Sequence, residues 1–400
     1  MKILHIIPDL ALTSGGPVFA VLGMAKAQSE MGYAVVIAAT DYGQPELPEL
    51  EKVNIHLYSC DFPKWRWSSK LKEGLYSHIS DADIVHIHTV WSFPVLAAAD
   101  ACIKLGKPYI LRPCGMLDPW SIAQKSWIKK LYLFCFQRII SKAAAIHFTS
   151  EQERENSLPL FKAARSFVCP LGVSLSVTIP ILRGPAKLDI SEGFRKRYPE
   201  LGDSLIVLFL SRMHYKKQPE VVIHAFREII SRRPNLRLVM AGSGEAKYVR
   251  QLKRLVNDLG LADKVLFTGM LLGRAKQEAL SAADVFVLPS LQENFGISVV
   301  EAMAAGCPVV ISDRVNIASC ISRAEGGIVC SPTINGIESA IDKLVSNDKL
   351  RGQMAENGKK LCQSQFEWSI VTKSLLMEYE RLLNFTNQEN VDLRLSGVNV

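Results

Sequence analysis

The densest chemistry-bearing stretch of the chain runs from Pro289 to Val310, PSLQENFGISVVEAMAAGCPVV. Glu293 and Glu301 stand eight apart in it, separated in part by Asn294, Phe295, Gly296 and Ile297. The stretch begins as a strand ends, continues as a loop with Gly296, and becomes a helix through Glu301. Free amides at such a helix start favour anionic oxygens. Two carboxylates at different depths along loop and helix suit different parts of one extended ligand. Glu301 is followed by Ala-Met-Ala-Ala-Gly, an apolar setting unlike that of a surface helix. Upstream, SRMHYKKQ (Ser211 to Gln218) follows the apolar run Leu205 to Leu210, so Arg212 and Lys217 stand at a strand's carboxyl end. Arginine offers phosphate a planar fork and lysine a compact charge. Combined with Glu293 and Glu301, the basic pair points to a nucleoside diphosphate.

Other phosphate motifs are incomplete. Gly15-Gly16 sits where the first strand should turn into a helix, but PDLALTSGGP is not Gly-x-Gly-x-x-Gly. Gly242-Ser243-Gly244 lacks the third glycine, and no Walker lysine motif occurs. A dehydrogenase or P-loop enzyme is thereby disfavoured, although the bare backbone at Gly15 and Gly16 still suits close approach to a phosphate or sugar. Asp81-Ala82-Asp83 has a metal-binding spacing but merely precedes a strand. His86 and His88 share a strand face with no further ligands in sequence. His88, the last strand residue, is a candidate to face a ligand, and His86 reads as a core histidine. No metal is expected.

The elements that must position these residues are short β-branched runs near residues 3, 34, 53, 84, 109 and 146, then 205, 236, 265, 285, 309 and 328, several of them separated by helix-length segments. Such runs read as parallel strands buried on both faces. Two series imply an α/β chain of two doubly wound domains, with ligands at the carboxyl ends of the strands and a cleft between them. The expected organisation is a domain over 1–180, a linker region over 181–203, a second domain over 204–367, a helix over 368–385 and a flexible tail over 386–400.

Composition agrees with a folded protein: 48% hydrophobic, 22% charged, net charge +8 over 400 residues. No Lys/Arg block or recognised nucleic-acid motif points to DNA or RNA. Nine scattered cysteines without Cys-x-x-Cys argue against a zinc site or a disulfide framework and for a reducing compartment. The amino-terminal run lacks the features of a signal peptide, and no 18-residue apolar stretch occurs, so a cytoplasmic location is expected.

Taken together, Arg212 with Lys217, Gly242-Ser243-Gly244-Glu245, Phe267-Thr268-Gly269, and Glu293-x7-Glu301 followed by Gly306-Cys307-Pro308 resemble the retaining GT-B glycosyltransferases of family 4 (group 1). Gly15-Gly16, Asp83 to His88 and Phe366-Glu367-Trp368 extend the resemblance over nearly the whole chain. It implies two facing Rossmann-like domains, a nucleoside diphosphate sugar as donor, and no cofactor or catalytic metal. By the same resemblance, Arg212 and Lys217 would hold the leaving diphosphate, and Glu301 would accept hydrogen bonds from the ribose hydroxyls. Glu293 and the backbone of Asn294, Phe295, Gly296 and Ile297 would hold the transferred sugar. Gly244 and Phe267, Thr268 and Gly269 would line the nucleotide site, with Gly16 approaching the phosphates from the other domain. The family has Gly where Ser211 and Gln218 stand, and a His-Gly where this chain has Cys114-Gly115. Arg112 or Asp118 are candidates to compensate for that histidine.

The variant resembles a subgroup seen in bacterial exopolysaccharide clusters, which implies a glycan or lipid-linked acceptor. Alternatives are a non-catalytic nucleotide-sugar-binding scaffold or a sugar-nucleotide epimerase of the same fold. Eight basic residues against the single acid Asp118 between Lys104 and Lys142 concentrate the positive charge there. In a helix over 121–142, Ile128, Leu131, Tyr132, Cys135 and Ile139 would form a core-facing stripe. Trp127, Lys130, Phe134 and Arg138 would form a second, aromatic and basic stripe, suited to weak contact with the anionic cytoplasmic leaflet.

Overall fold

The computed structural model describes residues 1–45, 50–124, 126–160, 165–174 and 185–395; of these, the side chains of 126–128, 130, 131, 134, 135, 158, 185–190 and 386–395 are not described. The chain divides into two compact units, Met1–Gly172 with Trp368–Val400, and Val173–Glu367.

The strands of the first unit are β1 (Lys2–Asp9), β2 (Ala34–Thr40), β3 (Val53–Tyr58), β4 (Ile84–His88), β5 (Tyr109–Arg112), β6 (Ala145–Phe148) and β7 (Ser166–Val168). All pair in parallel, in the order β3-β2-β1-β4-β5-β6-β7. Its helices are α1 (Gly16–Glu30), α2 (Ser69–Asp81), α3 (Phe93–Leu105), α4 (Pro119–Ala123), α5 (Ser126–Lys142) and α6 (Glu151–Ser157). One face of the sheet buries Leu4, Ile6, Val85, Ile87, Leu111 and Ile146 together with Leu71, Leu75 and Ile79 of α2 and Val95, Ala98 and Cys102 of α3.

In the second unit, the first helix among the described residues is α7 (Pro185–Arg197). Its sheet comprises β8 (Leu205–Leu210), β9 (Leu236–Ala241), β10 (Val265–Gly269), β11 (Val285–Leu288), β12 (Val309–Ser312) and β13 (Gly327–Cys330), ordered β10-β9-β8-β11-β12-β13 and again parallel. Interleaved with or following these strands are α8 (Pro219–Ile230), α9 (Ala246–Asp258), α10 (Gly273–Ala282), α11 (Ile297–Ala304), α12 (Ala318–Arg323), α13 (Ile334–Val345) and α14 (Asp348–Leu361). The last helix, α15 (Trp368–Leu395), returns to the first unit and packs on α1.

In each sheet the order of winding reverses once, between β1 and β4 and between β8 and β11. In doubly wound sheets a ligand crevice opens outside the carboxyl ends of the strands at that reversal.

Several boundaries differ from the expected ones. The first unit ends at Gly172 rather than 180, and α7 occupies part of the segment read as a linker over 181–203. Proline and glycine at its start suggested a loop, but Pro185 opens the helix, where a missing N–H is tolerated. Helix α15 continues through the expected 386–400 tail as far as Leu395. Over the segment 121–142 α4 ends at Ala123 and α5 begins at Ser126, and in α5 the core face runs through Phe136 and Ile140, with Tyr132, Leu133 and Ile139 packed partly against it. Tyr132 stacks on Phe136 at 5.3 Å, the four-residue spacing that sets this face. Of the expected aromatic and basic stripe, Arg138 is exposed, whereas the side chains of Trp127, Lys130 and Phe134 lie outside the described residues. No helix among the described residues is long and apolar enough to cross a membrane.

Candidate functional site

In the second unit three strand ends are stitched together by their backbones. Beyond β8 and β9, Ser211 N donates to Ala241 O (3.1 Å) and Met213 N to Ser243 O (2.8 Å), while Gly242 N donates to Gly269 O at the end of β10 (2.7 Å). The close approach requires glycine: a Cβ on Gly242, whose φ is +144°, would overlap the Ser211 carbonyl, and one on Gly244 the Met213 carbonyl. Thr268 Oγ1 donates to Gly269 O at 3.0 Å, which orders the β10 end.

The loop after β11 is fixed from both sides. Leu291 N donates to Lys216 O (2.9 Å), Glu293 N to Arg314 O (3.1 Å), and Asn316 N to Glu293 O (3.0 Å). Asn316 Nδ2 donates to Asn294 Oδ1 at 3.4 Å, and the Phe295 ring is buried edge-on to Phe366. Gly296, with φ +79°, takes the left-handed conformation that turns the loop into α11; Val299 N donates to Gly296 O at 2.8 Å, so the amides of the helix start are those of Ile297 and Ser298.

Four charges meet around this frame. The mostly buried Lys217 pairs with Glu293 across the β8 and β11 loops, and Lys276 of α10 pairs with Glu301 of α11 at 2.6 Å. Burial pulls the Lys217 ammonium down to about 7, aided by the charges of Lys216 and Arg212. Arg212 is exposed beside them. The arrangement can thus offer a dianion an arginine, a partly buried lysine and a helix start at a strand-order reversal. Arg212, Lys217, Gly244 and Glu293 to Gly296 lie on the loops, Thr268 and Gly269 are the last residues of β10, and Ile297 and Glu301 lie on α11, all at the carboxyl end of this sheet. The contacts of Glu293 and Glu301 with lysines were not legible from spacing, because α10 and the β8 loop are distant in sequence.

Gly15 and Gly16 lie at the end of β1 in the first unit. Gly15 has φ 86° and ψ −150°, a region essentially confined to glycine, and precedes α1; Gly16 is exposed at the first helical position. Asp9 orders this loop by accepting from Ala11 N (3.2 Å) and Ser14 Oγ (2.6 Å).

His88 is not available to a ligand in this arrangement; it is fully buried beneath the sheet. Register places His5, His86, His88, Arg112 and His147 on one face. The Cys169 carbonyl accepts from His147 Nε2 (2.7 Å), so His147 Nδ1 accepts from His86 Nε2 (3.3 Å), and His86 Nδ1 accepts from Tyr379 Oη (2.6 Å). Likewise Gln28 Oε1 accepts from His5 Nε2 (2.7 Å), whose Nδ1 accepts from His88 Nε2 (2.9 Å). Both chains of donors close with all four rings neutral. Burial depresses them accordingly: His5 to about 4, His147 to about 3, His86 and His88 well below 6.5, with the Arg112 charge acting in the same direction. The nitrogens of His5, His86 and His88 lie within 4.8 Å of one another. His5 is thus the third imidazole that the sequence did not place beside the other two. The lone pairs of His5 and His86 are, however, already taken by N–H and O–H donors.

Neither suggested compensation for the missing histidine is realised. The Arg112 side chain belongs to the buried face below the sheet, and Asp118 caps α4 through Trp120 N and accepts from Asn156 Nδ2. The Cys114-Gly115 turn is instead held by the buried Glu153, which accepts from Gly115 N (2.6 Å), Thr149 N and Thr149 Oγ1 (both 2.7 Å). Burial pushes the Cys114 thiol up, away from the reactive thiolate. The eight described cysteines are free thiols.

Two doubly wound domains with an anion-suited crevice at the second define a GT-B architecture. Residues 15–172 match the Glycosyl transferase 4-like domain and residues 191–361 match Glycosyl transferases group 1, together more than four fifths of the chain. The protein belongs to these two-domain glycosyltransferases. It is 25% identical to an uncharacterized glycosyltransferase of Methanocaldococcus jannaschii over 92% of this chain and 94% of that one. It is 31% identical to the mannosylfructose-phosphate synthase of Agrobacterium fabrum over 43% of this chain and 39% of that one. In fold it resembles Anabaena HepE, solved in complex with UDP and glucose, with a TM-score of 0.79 at 16% identity over 95% of this chain and all of that one.

Proposed function

We propose that the protein is a retaining glycosyltransferase that moves a sugar from a nucleoside diphosphate sugar to a hydroxyl of a glycan or lipid-linked acceptor, in the synthesis of a bacterial surface polysaccharide. The observation that carries the reading is the convergence of Arg212, Lys217, Glu293 and the α11 start on the β8–β11 reversal. The UDP-bound state of HepE and the group 1 membership support the nucleotide-sugar donor.

Arg212, Lys217 and the first amides of α11 stabilise the charge that develops on the leaving diphosphate, the largest contribution in most such sites. Glu301 accepts from the ribose hydroxyls, and Glu293 with the Asn294–Ile297 backbone holds the sugar. The acceptor oxygen attacks C1 on the face from which the diphosphate departs. As the C1–O bond to phosphate breaks and the new C1–O bond forms, the departing phosphate oxygen takes the acceptor proton. Arginine and lysine supply the charge stabilisation without a metal, and the location is the cytoplasm or the inner face of the membrane.

The test is transfer and nucleoside diphosphate release with UDP-, GDP- and ADP-sugars. Wild type should turn over one of these donors with the anomeric configuration kept, and Arg212→Ala and Glu301→Ala should lose most of that activity. Full transfer by both variants would sink the assignment, and conversion of donor without acceptor would favour the epimerase.

A further inference from the structure

Arg112, the last residue of β5, is 1% exposed, and all three nitrogens of its guanidinium lack a hydrogen-bond partner among the described residues. Buried polar groups without partners are rare in folded proteins, and each has a cause. Arginine cannot shed its charge, and a buried ion without a counter-charge is strongly destabilising. We infer that Arg112 anchors an internal site for a small monovalent anion of the halide class, chloride in the cell, enclosed between the first sheet and helices α1 and α15.

The described surroundings supply no negative charge. Strand register sets His88 on one side of Arg112, on β4, and His147 on the other, on β6. His5, His86 and Tyr379 complete the layer, and the Arg112 charge acts on all five rings. The two carboxylates that act on neighbouring cysteines are committed elsewhere. Glu153, which acts on Cys114, accepts from Gly115 N and from the amide and hydroxyl of Thr149. Glu378, which acts on Cys169, pairs with Arg381 at 3.9 Å.

Helix α15 closes the layer. Tyr379 Oη donates to His86 Nδ1 (2.6 Å), and Cys169 Sγ, just beyond β7, donates to Val371 O (3.6 Å). Between these two ties Thr372 is fully buried, and its hydroxyl has no partner among the described residues; nor has Nδ1 of His88. A water satisfies a hydroxyl or a ring nitrogen and leaves the guanidinium charge unanswered. One anion answers that charge and accepts from several of its N–H groups. Phosphate or sulfate carries more charge than Arg112 and more oxygens than these donors fill, whereas a halide accepts from any direction. The layer is closed to solvent, so the anion enters as the first unit folds or opens, and its binding appears as stability of that unit. None of this depends on the transferase reading.

All six tryptophans of the chain lie in the first unit, so indole emission follows the unfolding of that unit without signal from the second. At constant ionic strength, stepwise replacement of potassium gluconate by potassium chloride should raise the thermal midpoint saturably, by about 5 °C or more at saturation. Crystals grown in bromide should show an anomalous peak within hydrogen-bonding range of the Arg112 guanidinium. Arg112→Met, a neutral chain of similar length, should keep the gluconate midpoint and lose the chloride response. The wild-type salt series and the bromide map decide the matter if that variant does not fold. Equal midpoints in the two salts, a wild-type chloride response in Arg112→Met, or water alone at the guanidinium would overturn the inference.

Discussion

The ammonium of Lys217 rests on the carboxylate of Glu293, across two loops that follow neighbouring strands of the second sheet. Each keeps the other in place where a diphosphate and its sugar are proposed to sit. Burial makes Lys217 an easily deprotonated amine, so its charge depends on what it touches. A bound diphosphate favours the ammonium and gains most where it is already protonated.

UDP affinity should therefore fall as pH rises from 7 to 9, through the lowered Lys217 value, by up to about tenfold per pH unit. Lys217→Arg, charged throughout, should flatten the profile. A calorimetric series at constant ionic strength checks this, and an equally steep profile in the arginine variant would contradict it.

Gly242→Ala places a methyl against the Ser211 carbonyl in a backbone conformation that alanine resists. We expect a UDP affinity at least about tenfold weaker, with most of the second unit's helical signal retained. Unchanged affinity would show that the stitched strand ends do not shape the nucleotide site.

Acid should unfold the first unit before the second. The folded values of His5 and His147 lie below the unfolded 6.5, so the unfolded state binds more protons below that pH. Stability is fully present above 6.5 and is lost as pH falls toward about 4 and 3. The loss amounts to roughly 2 kcal/mol per buried ring by pH 5. Urea midpoints read by tryptophan emission at pH 7 and 5 measure it; equal midpoints would contradict the neutral-histidine layer.

Trp368 fills the space left by two glycines, Gly23 on α1 and Gly172 at the end of the first unit. A methyl on either overlaps the indole, and overpacking of this kind costs about 1–3 kcal/mol. Gly172→Ala should destabilise the first unit by that amount and expose α15 to proteolysis. Cleavage at the wild-type rate would show that α15 is anchored elsewhere.

Twelve of the thirteen strands among the described residues are legible as β-branched runs, because strands buried on both faces carry a continuous apolar signal. Strand β7 is three residues at a sheet edge, too short to register. Helix α7 was hidden by proline and glycine at its start. For the candidate site, the loops after β8 and β11 announce themselves through Arg212, Lys217 and the two glutamates. The fate of His88 depends on register: His5, Arg112 and His147 come to its side of the sheet only when four strands align, and Tyr379 arrives from nearly three hundred residues away. Glu153 carries no signal in the sequence for a similar reason. Its role lies in backbone amides that a sequence does not display.

The most direct measurement of the central claim is calorimetric titration of UDP, GDP and ADP, with their sugars, against wild type and Arg212→Ala. The account predicts saturable binding of one nucleoside diphosphate by wild type and an affinity loss of about 1.5–3 kcal/mol in the variant, the range for a charge-assisted hydrogen bond. Equal affinity in both proteins, or no binding of any of the three, would contradict it.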